Sequence, residues 1–410
     1  MGHRQMDSLI RLPHHVAALG GRSALGDFPQ ALRVGQTVYI GAQSPLPIGS
    51  GAVATDIETQ THTALHGLVD TLGSAGLGMQ DLIKLHTYYV FEGEGSEVTR
   101  YWERMTDVRL KYLANPGPAA TALRVSGAPT HSRLITVDGI ASSSLHKRRL
   151  MPAHAWDWSI PTPFSQGWRV DDRVFVGGQI SADRKGRALG AGDVLAQTSN
   201  TLEYIRHVLL EGGATWDDLV TLKIGYRHDG RDLVARDLLD RILDLVRKTL
   251  ADPGPALTCF GVDLLYEGLV LEIDAIAVIG ATKRALAPQA AKNWASIPGF
   301  APGLRAGPEL YVGAVSAPGA ASVVAQAEAT MERLVGVLEA GGAERGDLVK
   351  LNVFFVSSEQ FESRDSEAVA RIIGDYLPDR RPVVTIVRVP GLPHPGQQVQ
   401  IDGIAVATGR

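Results

Sequence analysis

One pattern occurs three times along the chain, and this repetition restricts the possible fold more than any other feature. Each copy contains a Val-Tyr-Ile-Gly-like block, and successive blocks lie 136 residues apart: Val38-Tyr-Ile-Gly-Ala-Gln-Ser44, Val174-Phe-Val-Gly-Gly-Gln-Ile180 and Leu310-Tyr-Val-Gly-Ala-Val-Ser316. Two further blocks follow in the same order, beginning at Asp81, Asp218 and Asp347, and at Ile135, Leu271 and Val399. Since a single core rarely grows beyond roughly 250 to 300 residues, the repeats predict three homologous domains.

Within each copy, alternating or β-branched stretches predict strands, and two segments have helical spacing. In the first copy the helices are expected at 56–75 and 96–113, the second ended by Asn115-Pro116. The order ββαβαββ defines an α+β domain. The predicted domains are 1–145, 146–285 and 286–410, with linkers expected at the charged runs 146–149 and 283–292.

The last strand of each copy indicates how the sheets pack. Its apolar positions can face two helices, which leaves the alternate positions on the other face. Those alternate positions are polar in all copies: Thr136, Asp138, Glu272, Asp274, Gln400 and Asp402. Three sheets of four or five strands facing inward around a pseudo-threefold axis would cover them. We therefore expect an intramolecular pseudo-trimer with clefts between neighbouring domains.

Composition argues against several classes of protein. The formal net charge is −4, so no basic surface predicts a nucleic-acid partner. No segment is apolar for long enough to predict a membrane span or a signal peptide, which favours a cytoplasmic protein. A single cysteine, Cys259, excludes an internal disulfide and Cys-based metal sites, and no metal or cofactor is expected.

The repeated blocks resemble the Rid (reactive intermediate deaminase, YjgF or UK114) family over nearly the whole chain. The second copy is the most similar, through Pro163-Phe-Ser-Gln-Gly167, Val176-Gly-Gly-Gln-Ile180, Gly254-Pro-Ala-Leu-Thr-Cys259 and Leu271-Glu-Ile-Asp-Ala-Ile-Ala277. The resemblance implies a chorismate-mutase-like fold, a trimer written as one polypeptide, and small-molecule ligands in the inter-domain clefts. Since the trimer is intramolecular, a monomer is expected.

The same resemblance implies hydrolysis of imines or enamines, but one residue of the deaminating branch is missing. That branch carries an arginine after the Pro-Ala of the fourth strand, where it holds a substrate carboxylate in a bidentate pair. The matching positions here are Ala120, Leu257 and Val384. A different ligand, or no catalysis, therefore remains open.

Six residues are candidates for acid-base or nucleophilic chemistry. By the resemblance, the last-strand aspartates occupy the place of a family glutamate that activates water or relays a proton. The titrations of Glu272 and Asp274 could be coupled. Unlike side chains occupy one position of the third strand, where His86 could act as a base and Lys223 could bind an anion or act as an amine nucleophile. These candidates are Asp138, Asp274, Asp402, Glu272, His86 and Lys223. Structural pairing of the same groups is the alternative.

A second set is predicted to bind ligand: Thr121, Thr258, Thr385, Cys259, Arg124, Arg388, Tyr88, Gly178 and Phe164. The threonines can donate hydrogen bonds, the arginines can reach a carboxylate at a cleft mouth, and the Gly178 region lets a peptide N–H approach an oxyanion. The alternatives are a surface salt bridge for the arginines and a small buried core residue for Cys259.

Three functions follow. The first is a Rid-like hydrolase or deaminase in which an Asp carboxylate activates water or transfers a proton in one or two clefts. The second is a non-catalytic ligand-binding or interaction module that keeps the trimeric shell. The third is a ring-opening amidohydrolase. It ranks lower because Lys84, Thr221 and Lys350 share one strand position but no serine motif accompanies them.

Overall fold

The computed structural model describes residues 10–11, 28–45, 53–127, 132–358, 360, 362–377 and 381–407. The amino-terminal residues 1–9, on which the expectation of no signal peptide partly rests, lie outside the described residues. No helix among the described residues is long and apolar enough to cross a membrane. The chain forms three α+β domains of one design, as the repeats predict.

Among its described residues, the first domain contains six strands and two α-helices: β1 (Ile10–Arg11), β2 (Ala31–Val34), β3 (Thr37–Gln43), α1 (Ile57–Ser74), β4 (Leu82–Tyr89), α2 (Ser96–Arg109), β5 (Ala119–Arg124) and β6 (Ile135–Ser142). The strand order in its sheet is β1-β2-β3-β6-β4-β5. Only β4 and β5 pair in parallel, because α2 crosses between them. Asp56 caps α1 by accepting a 2.7 Å hydrogen bond from the Thr59 N–H.

The second domain repeats this arrangement with β7 (Lys147–Leu150), β8 (Gly167–Val170), β9 (Arg173–Gln179), α3 (Val194–Gly212), β10 (Leu219–Arg227), α4 (Asp232–Thr249), β11 (Ala256–Val262) and β12 (Leu271–Val278). The third contains β13 (Lys283–Leu286), β14 (Gly303–Ala306), β15 (Glu309–Val315), α5 (Val323–Ala340), β16 (Leu348–Phe355), α6 (Glu362–Tyr376), β17 (Val383–Arg388) and β18 (Val399–Val406). Both sheets keep the order of the first.

Among the described residues, each sheet has six strands rather than the expected four or five. The charged runs 146–149 and 283–292, expected as linkers, overlap β7 and β13, which pair antiparallel with β8 and β14. Their carboxyl-terminal residues, Leu150 and Leu286, are fully buried, and this burial favours the added strand. The short strand β1 occupies the equivalent edge in the first domain.

The alternation on the last strands is confirmed. The apolar positions join the helix-side cores of their domains: Ile135 and Val137, Leu271 and Ile273, Val399 and Ile401. The other face of each strand points toward the axis. There the isoleucines two residues past each aspartate meet in one apolar core that all three domains share, and this core closes one end of the axis.

Unlike side chains at equivalent positions also join the domains. Thr37, Arg173 and Glu309 begin the equivalent strands β3, β9 and β15. Arg173 ion-pairs with Glu309 at 2.7 Å and donates to Thr37 Oγ1 at 3.0 Å, so that one guanidinium connects all three domains. Identical subunits could not place three different residues at this site.

The repeated glycine of the Val-Gly block is explained by the domain seams. A Cβ at Gly177 would lie 3.1 Å from Ala120 O, and one at Gly313 would lie 2.9 Å from Leu257 O. The backbone of the preceding domain therefore leaves no room for a side chain. The positions that lack the family arginine thus lie directly against the neighbouring domain.

Candidate functional site

The three last-strand aspartates meet near the pseudo-threefold axis rather than in the clefts where they were expected. His86 lies between two of them: its Nδ1 is 2.9 Å from Asp138 Oδ1, and its Nε2 is 3.1 Å from Asp274 Oδ2. An imidazolium satisfies both contacts with its two N–H donors. Thr385 donates to Asp138 at 2.8 Å, and Thr121 donates to Asp274 at 3.1 Å.

Three lysines and an asparagine complete this axial cluster, which we define as the three aspartates with His86, Lys84, Lys223, Lys350 and Asn352. Lys84 Nζ lies 3.4 Å from Asp274 and donates to Val176 O at 2.7 Å. Lys350 Nζ lies 3.1 Å from Asp138 and donates to Ile40 O at 3.0 Å. Each lysine therefore joins its own domain to the next one. No serine accompanies them in these contacts, so the geometry does not favour the amidohydrolase.

The third copy of this arrangement differs because Thr221 stands where the others have lysine. Asp402 is held instead by Lys223, at 3.2 Å, and by the side-chain amide of Asn352, at 2.5 Å. A cavity of about 50 Å³ remains beside Thr221 and Asp402. Lys223 therefore forms its ion pair with the aspartate of the next domain.

The electrostatics of the cluster are those of paired buried ions. Burial alone would raise the pKa of Asp138, but Lys350 and His86 outweigh it and hold that pKa well below its usual range. Lys84 and His86 have the same effect on the pKa of Asp274. Such carboxylates are weak bases with occupied oxygens, and their partners come from neighbouring domains.

The other predicted ligand-binding residues are divided between several places. Thr258 lines the axial cavity, and Tyr88 is buried with its ring 6.1 Å from that of His86. Arg124 ion-pairs with Asp263, and Arg388 donates to Ser126 O, so both arginines make contacts across a domain seam. Cys259 is fully buried, which raises the pKa of its thiol. Of the predicted residues, Gly178, Phe164 and Glu272 line the cleft between the first and second domains.

We call this site the first cleft; it lies between the first and second domains. Its lining residues are Trp102, Arg109, Ala120, Ala122, Trp156, Trp158, Phe164, Gly178, Leu265 and Glu272. Its cavity measures about 10 Å³, which is room for about one water molecule. A larger ligand enters only if the walls separate, and the outer wall is formed by the irregular connection between β7 and β8.

Glu272 is the acid of the first cleft. It is 3% exposed, and Oε1 accepts a 3.3 Å hydrogen bond from the Ala122 N–H of the first domain, whereas Oε2 has no partner. Burial, with a smaller contribution from Asp274, raises the pKa of Glu272 to about 8. At neutral pH this side chain is therefore mainly a neutral acid that can donate a proton.

Arg109 is the only buried arginine lining this cleft among the described residues. It is the last residue of α2 and is fully buried; its Nη atoms donate to Thr87 and Thr106 hydroxyls at 3.2 and 2.5 Å. The guanidinium lies 4.9 Å from the Phe164 ring centroid. Nε has no partner, and no carboxylate of the described residues forms an ion pair with it. Burial lowers its pKa to about 10, so it stays charged at neutral pH.

The other two clefts lack this acid and this arginine. The positions equivalent to Glu272 hold Thr136, which shares a 2.8 Å hydrogen bond with Ser44, and Gln400, which donates to Cys259 O at 2.8 Å. The positions equivalent to Arg109, four residues before the leucine that follows each second helix, are the buried Val246 and Ile373. Among the described residues, the acid-arginine combination therefore occurs in the first cleft.

Similarity to known proteins agrees with this architecture. The family model for endoribonuclease L-PSP matches residues 21–142, 159–279 and 310–407, which is most of the chain. The chain belongs to this family. The resemblance of the three copies to the Rid (YjgF) proteins is thereby confirmed.

Relatives of this L-PSP family match one domain at a time. A RutC family protein of Pyrococcus abyssi is 29% identical over 115 residues, covering 28% of this chain and 85% of the relative. The 3-aminoacrylate deaminase RutC of Acinetobacter baylyi is 28% identical over 115 residues, covering 28% of this chain and 86% of the relative. A putative endoribonuclease of Thermotoga maritima is 26% identical and covers 32% of this chain and 96% of that one, with a TM-score of 0.28. A solved structure outside these single-domain matches is a chorismatase, which covers 63% of this chain and 78% of its own, with 15% identity and a TM-score of 0.49.

Sequence reasoning missed Arg109 and Trp102, which belong to a helix rather than to the repeated strand blocks. A signal for Arg109 exists: aligning the three copies on Leu113, Leu250 and Leu377 sets an arginine against Val246 and Ile373. A charged residue at a helix position that is apolar in two sister domains is unusual. It indicates that the first L-PSP domain differs at its second helix.

Proposed function

We propose that the protein hydrolyses a small imine or enamine that carries one carboxylate, and that this reaction takes place in the first cleft. The observation that supports it best is a buried arginine without a carboxylate partner lining the same cleft as a buried, neutral carboxylic acid. The family and the deaminase named among its relatives agree with C–N bond hydrolysis. If Arg109 had only a structural role, its buried Nε–H would remain without a hydrogen bond, which costs folding free energy.

In this proposal Glu272 acts first as an acid and then as a base. It donates a proton to the imine nitrogen, or to the β-carbon of an enamine, and either step gives the protonated imine. Water adds to the imine carbon while the Glu272 carboxylate takes a proton from that water. Glu272 then passes this proton to the nitrogen of the resulting carbinolamine and takes the hydroxyl proton as the C–N bond breaks, so that imine and water give a carbonyl compound and ammonia.

Arg109 anchors the substrate carboxylate through its free Nε–H at the edge of the guanidinium. It replaces, from a helix, the arginine that the deaminating branch carries on the fourth strand, where this chain has Ala120. Ala120 and Gly178 line the same cleft, and the Glu272 carboxylate packs so closely on Gly178 that no side chain fits at that position. A single cation next to a neutral acid favours a monoanionic substrate.

The acid of this proposal is Glu272 and not one of the last-strand aspartates first considered for the role. Asp138 and Asp274 have oxygens occupied by lysine, histidine and threonine, and their pKa values are shifted away from the neutral range. Their partners support a structural role for the axial cluster.

A non-catalytic binding module is the second candidate, and the small volume of the first cleft favours it. The two functions separate in an ammonia-release assay on imines generated in situ by an L-amino acid oxidase. Accelerated release above the spontaneous rate supports the hydrolase. A rise in melting temperature with small carboxylates, without any acceleration, supports the binding module and rejects the hydrolase.

Replacing the anchor gives opposite changes in activity and stability. We expect Arg109→Met to raise KM by about 10- to 150-fold, because hydrogen bonds to charged groups contribute roughly 1.5–3 kcal/mol. Arg109→Lys should not restore binding, since an ammonium lacks the planar fork. The same Met variant should unfold at an unchanged or higher denaturant concentration, because it removes a buried charge that has no counter-ion. Steady-state kinetics and urea unfolding measure both quantities.

The matched control is Arg104→Met, on the same helix. Arg104 is 57% exposed and pairs with Glu58, so its loss should change KM by less than about twofold. An Arg109→Met variant that is clearly destabilised but binds substrate normally would contradict the anchor role and leave Arg109 as a structural residue.

A further inference from the structure

Three buried polar atoms of residues that line the first cleft have no hydrogen-bond partner. Arg109 Nε, Glu272 Oε2 and the indole Nε1 of Trp102 are all buried and make no hydrogen bond. Buried polar groups are satisfied in the great majority of cases, so three orphans lining one cleft require an explanation. The first two are used by the proposed reaction, whereas the Trp102 N–H has no role in it.

The Trp102 indole differs in this respect from that of Trp156, which lines the same cleft. The Trp156 Nε1 donates to Gln179 Oε1 at 3.2 Å and is therefore engaged. Trp102 is fully buried in α2, and its ring packs edge-on against Tyr266 at 5.8 Å between centroids. The equivalent positions of the other domains are the buried Leu239 and Ser366, so the indole belongs to the first cleft alone.

We propose that Trp102 is a specificity-determining residue, and that the substrate of the first cleft carries a neutral hydrogen-bond acceptor, such as an amide or ketone oxygen, in addition to its carboxylate. This inference rests on the first cleft being the substrate site of the proposed function. The indole N–H is a donor only, so its partner must be an acceptor.

The charges lining the cleft determine that the second acceptor is neutral. Arg109 is the only cation among the lining residues, and one carboxylate already neutralises it. A second carboxylate would be buried without a counter-ion, which is costly. The remaining walls are the rings of Trp156, Trp158 and Phe164, which suit a flat, conjugated carbon skeleton between the two polar groups.

In the unliganded protein the cavity of about 10 Å³ accommodates about one water molecule, which can accept from the indole. A substrate oxygen that displaces this water must reproduce its hydrogen bond, and an alkyl group in the same place cannot. The cleft thus discriminates between substrates because an unsuitable one leaves the Trp102 N–H without a hydrogen bond.

The test uses two imines of nearly equal shape, which an L-amino acid oxidase forms from asparagine and from leucine. We expect the wild-type protein to prefer the asparagine-derived imine by roughly tenfold in kcat/KM, the effect of one buried hydrogen bond. Trp102→Phe keeps an aromatic ring and removes the N–H; it should abolish this preference and leave the leucine-derived imine within about threefold. Equal rates for both imines in wild type, or an unchanged preference in the variant, would overturn the inference.

Binding of unreactive carboxylates keeps the test independent of turnover and of the variant's folding. By calorimetry, wild-type protein should bind succinamate roughly tenfold more tightly than 4-methylpentanoate, which has the same shape without the amide. No turnover of any imine, together with this binding preference, would reject the hydrolase and retain the selectivity. Turnover without any preference in either assay would reject the selectivity and retain the hydrolase.

Discussion

Glu272→Gln is expected to reduce ammonia release from imines by about 100-fold or more, because general acid-base catalysis contributes typically 10²- to 10⁴-fold. The glutamine keeps the shape of the side chain and the acceptor for the Ala122 N–H, but it cannot exchange a proton. Single-turnover measurements with saturating imine report the chemical step directly. The substitution should leave KM for a monocarboxylate substrate nearly unchanged, since Arg109 retains the anchor.

The pH dependence of the wild-type protein provides a second readout of the same residue. Because the pKa of Glu272 is raised to about 8, the protonated acid is present below that pH, and the rate should fall as the pH rises through about 8. The free energy of unfolding should change with pH in the same direction as the rate. The folded protein binds the proton more tightly than the unfolded chain, so the Glu272 contribution to stability falls between about pH 4.5 and 8. Glu272→Gln should lack this decline.

The control for Glu272 is Thr136→Val at the equivalent position of another cleft. It removes the 2.8 Å hydrogen bond with Ser44 but touches no group of the first cleft, so turnover should change by less than about twofold. A fully active Glu272→Gln variant would reject this residue as the acid. An equal loss in both variants would point to a general structural effect instead.

Asp138→Asn is expected to lower the free energy of unfolding by about 3–5 kcal/mol, the cost of removing one partner from a buried ion pair. Asp138 is fully buried and faces Lys350, His86 and Thr385. Its loss leaves the Lys350 ammonium without a counter-ion at the junction of the third and first domains. Urea unfolding of the whole chain measures the change.

Charge-balanced variants separate this role from catalysis. Combining Asp138→Asn with Lys350→Met should recover part of the lost stability, because the unpaired ammonium is removed as well. Asp263→Asn, which affects an ion pair with a 43% exposed carboxylate, should cost less than about 1 kcal/mol. A stable but inactive Asp138→Asn protein would return this aspartate to the list of catalytic groups.

Acid unfolding follows from the same cluster. The folded-state pKa of Asp138 is depressed, so its contribution to stability is fully present above the unfolded-state value near 3.8 and is lost as the pH falls below that range. The Asp138→Asn protein should therefore show a weaker loss of stability between about pH 4 and pH 2 than the wild-type protein.

Much of the architecture could be predicted because it depends on two sequence patterns, the repeat period and the alternation of apolar and polar residues along strands. The 136-residue repeat determined the number of domains, and the polar alternation of the last strands determined which side chains turn inward. The strand count was wrong because runs such as Lys147–Leu150 are charged, and their edge pairing depends on one buried leucine and a neighbouring strand. The residue pattern of such a short run does not indicate which strand it will pair with.

The sequence by itself determined that the protein has three related but unequal clefts, because the repeats place different side chains at equivalent positions. Only the tertiary structure decided which carboxyl group lines the first cleft and which belongs to the axial cluster. Glu272 and Asp274 share one strand face, but Glu272 meets the Ala122 N–H of the first domain and Asp274 meets Lys84 and His86 near the axis. The physical reason is that partners from other domains determine the charge state and exposure of a buried carboxylate, and such partners are distant in the sequence.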